Sequence, residues 1–387
     1  MIDISKENAT RVEFITPNDG YHYFFAYYDM RATGDGINQR HLVHRVTFID
    51  RMQTAEDECE LGYIEDGKFV CFAKTTAWNF QQGAMLQYHP YLENTVYYNT
   101  VKDGNFVTVT HNFATGEKAY TDRATAAVSR DGSFGLSVNF GRIFAFRPGY
   151  GYAGFVDEGA EINAPDNDGV FITDMKSGKS KLLVSYRDMM EESGFCESDK
   201  ILINHITPSP DSKRYLMLVR DLRTDGSGWD TSMVVGDLNG GIHTVVKRSY
   251  VSHYYWINEN EILAHANCDG TRKALYIINA TTGEYREVAK DYLGTGEPDI
   301  HCQISPDGEY VIGDGYPIDG YRSIVSIKIK TGESRVVVSA KTIIPKYDDV
   351  RCDLHARFVM NGRYISYDTT EHNRREVALF PTELIRF

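Results

Sequence analysis

The 387-residue chain is poor in proline, with 11 residues, and its six cysteines show neither framework spacing nor a CxxC pair. Neither a proline-rich linker nor a disulfide scaffold is expected, and reduced thiols in a cytoplasmic protein fit best. No apolar run approaches the ~20 residues that a membrane helix needs. The opening stretch "MIDISKENATRVEFITPNDG" has no basic leader and no apolar signal core, so a non-secreted chain is expected. Positive charge is in deficit: 41 Lys and Arg against 54 Asp and Glu give a net charge of -13, which argues against nucleic acid or an anionic membrane as partner. A GxSxG elbow, a P-loop, a GxGxxG turn between strand and helix and an HExxH pair are also missing, which removes the usual sequence signs of serine hydrolases, nucleotide binders and zincins.

What the chain has is aromatics (26 Tyr, 19 Phe) and 33 Gly, the composition of short strands joined by tight turns. Seven times a turn runs into an aromatic or β-branched stretch: "PNDGYHYFFAY", "LENTVYYN", "SRDGSFGLSV", "SPDSKRYLML", "NENEILAHA", "SPDGEYVIG" and "NGRYISY". Most are followed by a second apolar stretch bent by a Gly-containing tetrad, as in "KALYIINATTGEYREV". Each repeat is one four-stranded antiparallel sheet that cannot bury both faces alone, and a ring of such sheets solves that problem. The prediction is an all-β, seven-bladed β-propeller occupying residues 1–387 as a single domain. Wide gaps between Asn139 and Gly169 and between Leu61 and Leu86 predict insertions in the early blades, and "YRDMMEES" predicts one short helix.

Arg214, Ile262, Tyr310 and Tyr364 open second strands, and nine residues before each lies a histidine: His205, His253, His301 and His355. The segment before the turn is the innermost strand, so one register in four consecutive blades predicts four imidazoles at similar depth around one axis. Neutral imidazole is the commonest metal ligand, and three of them with a thiolate, an amide or water suit zinc or manganese. The expected metal ligands are His253, His301 and His355, with Cys352 as the fourth and Gln303 as its rival. Asp353 and Arg357 share the strand face of His355 by period two. Arg142, Arg147, Arg220, Arg322 and Arg351 sit at or beside inner strands, with Tyr150 and Tyr152 in "RPGYGYAG". Guanidinium groups gathered near the channel of an acidic protein would hold a carboxylate or sulfate; the competing reading pairs them with aspartates in structural networks.

The runs "TTAWNFQQGAMLQYHP", "RPGYGYAG", "NHITPSPD", "VSHYYW", "HCQISPDGEYVIGDGYP" and "RCDLHARF" resemble, in that order, the seven-bladed propeller polysaccharide lyases, namely oligogalacturonate lyase and the propeller ulvan lyases. The resemblance spans about residues 75–370 and is sharpest in VSH, RPGYGY and RCDLH. It departs where "HARF" stands for HPRW, where Tyr88 stands for Trp, and where "VRDL" stands for HRW. It implies β-elimination at a uronic acid within an anionic oligosaccharide, assisted by a divalent metal (Zn or Mn). The implied roles are His205 as base, Tyr150 or Tyr152 as acid, and Arg220 or Arg142 on the sugar carboxylate; Arg147, Arg322 and Arg351 would complete the substrate site. The alternative is a propeller without catalysis that binds a glycan or a protein. A hydrolase would need paired carboxylates facing the channel, for which Asp314 and Asp353 are the candidates.

Overall fold

Three of the repeated turns are built alike. Ser129, Ser209 and Ser305 each donate a hydroxyl hydrogen bond to the aspartate two residues on (2.7, 2.7 and 2.6 Å). Each also accepts the backbone N–H of the residue that opens the next strand, from Phe134, Arg214 and Tyr310 (3.1, 2.9 and 2.9 Å). The serine and aspartate thus satisfy backbone and side-chain groups that a reversing chain would leave open, which is why the S-x-D pattern recurs.

These turns link the strands of a computed structural model that describes residues 2–3, 5–25, 30–34, 40–221, 229–289, 292 and 299–387. Seven sheets follow one another along the chain and form a seven-bladed β-propeller of four-stranded antiparallel blades. Their innermost strands are Tyr21–Tyr23, Gln87–Tyr88, Ala127–Val128, Ile201–Pro208, Val251–Trp256, His301–Ile304 and Arg357–Val359. Apolar clusters seal the gaps between blades; one packs Leu216, Leu218 and Met233 of the fourth blade against Tyr254, Trp256 and Ile262 of the fifth.

The last blade draws only three strands from the end of the chain, and Glu13–Phe14 adds its outermost one, antiparallel to Glu376–Pro381. Ile2–Asp3 also runs parallel to Ser334–Lys341 as a fifth strand on the sixth blade. The ring is therefore fastened by its first residues.

Two expectations about the early blades need correction. "PNDG" leads into the inner strand of the first blade, whose second strand is His41–Val46, so the first repeat is one strand out of step with the other six. The stretch from Leu61 to Leu86 holds the outer strands Cys59–Glu65 and Lys68–Thr75 and a connecting loop, with no insertion. The other gap is a true insertion between two strands of the third blade and carries a helix, Phe140–Phe146, that the sequence pattern did not show. Asn139 caps it by accepting from the Arg142 backbone N–H at 2.9 Å. The expected helix is present at Tyr186–Ser193, started by a capping box between Ser185 and Asp188 and stopped by Gly194 in the left-handed conformation. Among the described residues no helix is long and apolar enough to cross a membrane.

Candidate active site

The four histidines in register converge. Ring centroids lie 6.3 Å apart from His205 to His253, 4.1 Å from His253 to His301 and 4.2 Å from His301 to His355. All four are buried on inner strands or just before one. Burial, then the charges of Arg220, His253 and Arg147, holds His205 well below the ordinary histidine range. Burial, then the His301 charge, lowers His253 to about 4 against the pull of Asp299. His355 is likewise depressed by burial and by His301. His301 goes the other way, because the carboxylates of Asp314, Asp353 and Asp299 outweigh its burial.

Asp314 organises this end of the ring. One carboxylate oxygen accepts the Leu354 backbone N–H and the other that of His355, both at 2.8 Å, and Oδ2 also lies 3.3 Å from His301 Nδ1. The two amide contacts hold His355 at φ +44, a left-handed conformation that a non-glycine residue adopts only when its surroundings enforce it. That residue breaks the strand alternation. Asp353 and His355 stay beside His301, whereas Arg357 turns away to Ser366 and Asp368, so it does not share their face as expected.

The ligating atoms of His301, Asp353 and His355 lie within 4.8 Å of one another. Among the described residues His301 Nε2 makes no hydrogen bond, and it stands 3.8 Å from the Asp353 carboxylate. Two imidazoles and a carboxylate with an uncommitted ring nitrogen fit a divalent ion. This set differs from the expected one. Asp353 takes the place given to Cys352, which faces the other side, where its thiol contacts the Asp353 carbonyl and burial pushes it up to about 12. His253 lies outside the set and Gln303 accepts the Phe358 backbone N–H at 3.3 Å.

Beside His205 and His253 opens a cavity of about 490 Å3, walled by those two with Arg147, Tyr150, Arg220 and Arg351 and with Trp229, Tyr250, Lys273, Asp299 and Tyr316. Arg147 lies between Tyr150 and Trp229, 3.9 and 4.6 Å from their ring centres, and donates to Asn204 at 3.0 Å. Arg220 donates to the Ser252 carbonyl at 3.0 Å and lies 5.1 Å from the Trp229 ring centre. Arg351 is held by Asp353 at 3.0 Å and donates to the Tyr150 hydroxyl at 3.2 Å. Guanidinium groups thus reach the cavity from several blades.

Three expected site residues lie elsewhere. Arg142 is fully buried and donates to the carbonyls of Gly159, Ile162, Asn163 and Ile201 and to the Asp157 carboxylate. It ties the inserted loop to the fourth blade and cannot hold a substrate. Arg142→Met should therefore lower unfolding free energy by about 3–5 kcal/mol, the usual loss when one partner of a buried ion pair is removed. Urea titration will read that loss, with KM for any substrate unchanged below the melting range. Tyr152 is packed flat on Phe140 at 4.1 Å and accepts from Asn99 at 2.9 Å, a core residue whose phenol burial raises. Arg322 sits behind the cavity wall on Asp353 at 2.6 Å. The Asp314 and Asp353 carboxylates, both fully buried, accept from backbone amides and guanidinium groups and do not line the cavity, so they offer it no hydrolase pair.

The sequence reading missed Asp299. Its carboxylate accepts from Tyr250 Oη (2.8 Å), Ser252 Oγ (2.7 Å) and His253 Nδ1 (3.0 Å), and is held well below the usual range because the His253, His265 and His301 charges outweigh its burial. Trp229 and Lys273 were missed as well. Trp229 lies in the loop between the second and third strands of its blade, and Lys273 directly precedes Ala274–Asn279, so neither belongs to a repeated register.

The fold and the site together define a seven-bladed propeller with a polar cavity lined by His205 and His253. Among solved structures the chain is similar in fold to oligogalacturonate lyase from Vibrio parahaemolyticus, with a TM-score of 0.64 at 14% identity over 96% of this chain and 93% of that one. It is also similar to an oligogalacturonate lyase in complex with manganese, with a TM-score of 0.57 at 14% identity over 94% and 99%. A third likeness is to the β-propeller domain of the Trilobed protease from Pyrococcus furiosus, with a TM-score of 0.51 at 12% identity over 92% and 95%. The sequence matches no family model and no curated protein. Identities this low establish the shared propeller and leave the reaction to be argued from the site.

Proposed function

We propose that the chain, acting as one propeller unit, is a polysaccharide lyase that cleaves uronic-acid-containing oligosaccharides by β-elimination. The observation that carries this reading is the pairing of a neutral imidazole, oriented by a carboxylate, with guanidinium groups on the walls of one cavity. β-Elimination needs the C6 carboxylate neutralised, the C5 proton removed and the leaving oxygen protonated. Arg147, Arg220 and Arg351 are placed for the first task, and Trp229 offers a face to the sugar ring.

For the second task His253 is better supported than His205. Its Nδ1–H is committed to Asp299, so Nε2 is the basic nitrogen, and burial keeps the ring neutral. His205 Nε2 faces the Asn204 side-chain amide at 2.5 Å. Tyr150, hydrogen-bonded by Arg351, is the acid for the leaving oxygen. A manganese or zinc ion held by His301, Asp353 and His355 would add positive charge that acidifies the C5 proton. That one similar structure contains manganese supports this assignment.

Uronate oligomers supplied to the purified protein should produce the ultraviolet absorbance of a 4,5-unsaturated uronate, and chelation should reduce the rate. Binding of the oligomers without any chromophore would reject the lyase in favour of a propeller that only binds glycan.

A further inference from the structure

Asp353 serves two sets of neighbours at once. It is fully buried beside His301 and His355, yet Arg322 Nη2 lies 2.6 Å from Oδ1, and Arg351 Nε lies 3.2 Å from Oδ1 and 3.0 Å from Oδ2. An ionised carboxylate has about four acceptor positions; three contacts to guanidinium groups leave little of it for a cation. Two fixed positive charges beside the same group also repel a dication.

Arg322 has few other attachments. It is almost wholly buried, Nη1 donates to the Gly315 carbonyl at 2.8 Å, and Nε makes no hydrogen bond with any described residue. It does not line the cavity, so a role in touching substrate does not account for it. A buried arginine on a candidate ligand is costly unless its charge is used.

We infer that Arg322, with Arg351, is a positioning residue that holds Asp353 back from the metal and keeps the site at low, exchangeable affinity. The inference rests on the metal site of the proposed function, and not on the lyase reaction. Its consequence is a trade between cations: an ion that takes Asp353 releases Arg351, whose guanidinium already reaches the cavity and Tyr150, so metal occupancy and anion binding are linked through one carboxylate.

The test is a titration with manganese chloride alone, following the loss of the free-ion electron paramagnetic resonance signal, on the intact wild type and on Arg322→Met, Arg322→Lys, Arg351→Met and Asp353→Asn. The two methionine variants should bind manganese on the order of tenfold more tightly than wild type, the size of a typical coupling between sites. Arg322→Lys should stay near wild type, and Asp353→Asn should lose binding. A merely structural arginine would lower affinity when removed, so a gain is diagnostic. If Arg322→Met does not fold, Arg351→Met carries the same prediction. Unchanged or weaker binding in whichever methionine variants fold would overturn the inference. No substrate is present, so the result does not depend on whether the protein is a lyase.

Discussion

His253→Ala is expected to lower the rate of unsaturated-product formation by about a thousandfold, the range a positioned general base supplies. The variant should leave the melting temperature nearly unchanged, because Asp299 keeps its bonds to Tyr250 and Ser252. Asp299→Asn should fall between wild type and His253→Ala, since an amide can still contact Nδ1 but no longer favours the tautomer with its proton there. His205→Ala is the discriminating control. It removes a wall of the cavity without touching the Asp299 pair, so KM should suffer more than kcat. A dead His205→Ala beside an active His253→Ala would move the base to His205.

The second large effect is expected from Asp314→Ala. Two buried backbone amides lose the carboxylate that accepts them, and His301 loses the carboxylate beside its Nδ1. At about 1–3 kcal/mol for each buried group left unsatisfied, the loss should reach about 3–5 kcal/mol in urea unfolding. Manganese affinity should fall by about 10–100-fold, the usual range for losing a residue that orients a ligand. Because the left-handed turn at His355 depends on those amides, Asp314→Asn should rescue the fold only in part: its side chain offers one carbonyl oxygen where two oxygens now accept. Full manganese affinity in Asp314→Ala would show that the ring of histidines is set by the strands alone.

How much of this was legible in the sequence follows from which contacts are periodic. The blade count and the convergence of His205, His253, His301 and His355 were readable, because a fixed nine-residue offset from the second strand means a fixed depth on the first. The side-chain set around His355 was not. Alternation placed Arg357 with Asp353, but a single left-handed residue, enforced by a carboxylate 41 positions away in sequence, reversed it after His355. Arg142 was misplaced because "FGRIFAF" is too short and too apolar to announce a helix, and the helix turns its guanidinium into the inserted loop. Asp299 stands two residues before the inner strand His301–Ile304, outside the repeated turns, so no register points to it.

The fastening of the ring by Glu13–Phe14 has a consequence for how the protein comes into being. His355 belongs to the blade made last during synthesis, and that blade's outer edge is covered by Glu13–Phe14, made near the start. Until the two ends meet, the nascent chain is an open arc with an unpaired edge, exposed to pairing with other chains. His301, Asp353 and His355 come together only when the sixth and seventh blades dock, so manganese uptake during refolding should report that docking, and chain closure at Glu13–Phe14 should be read separately.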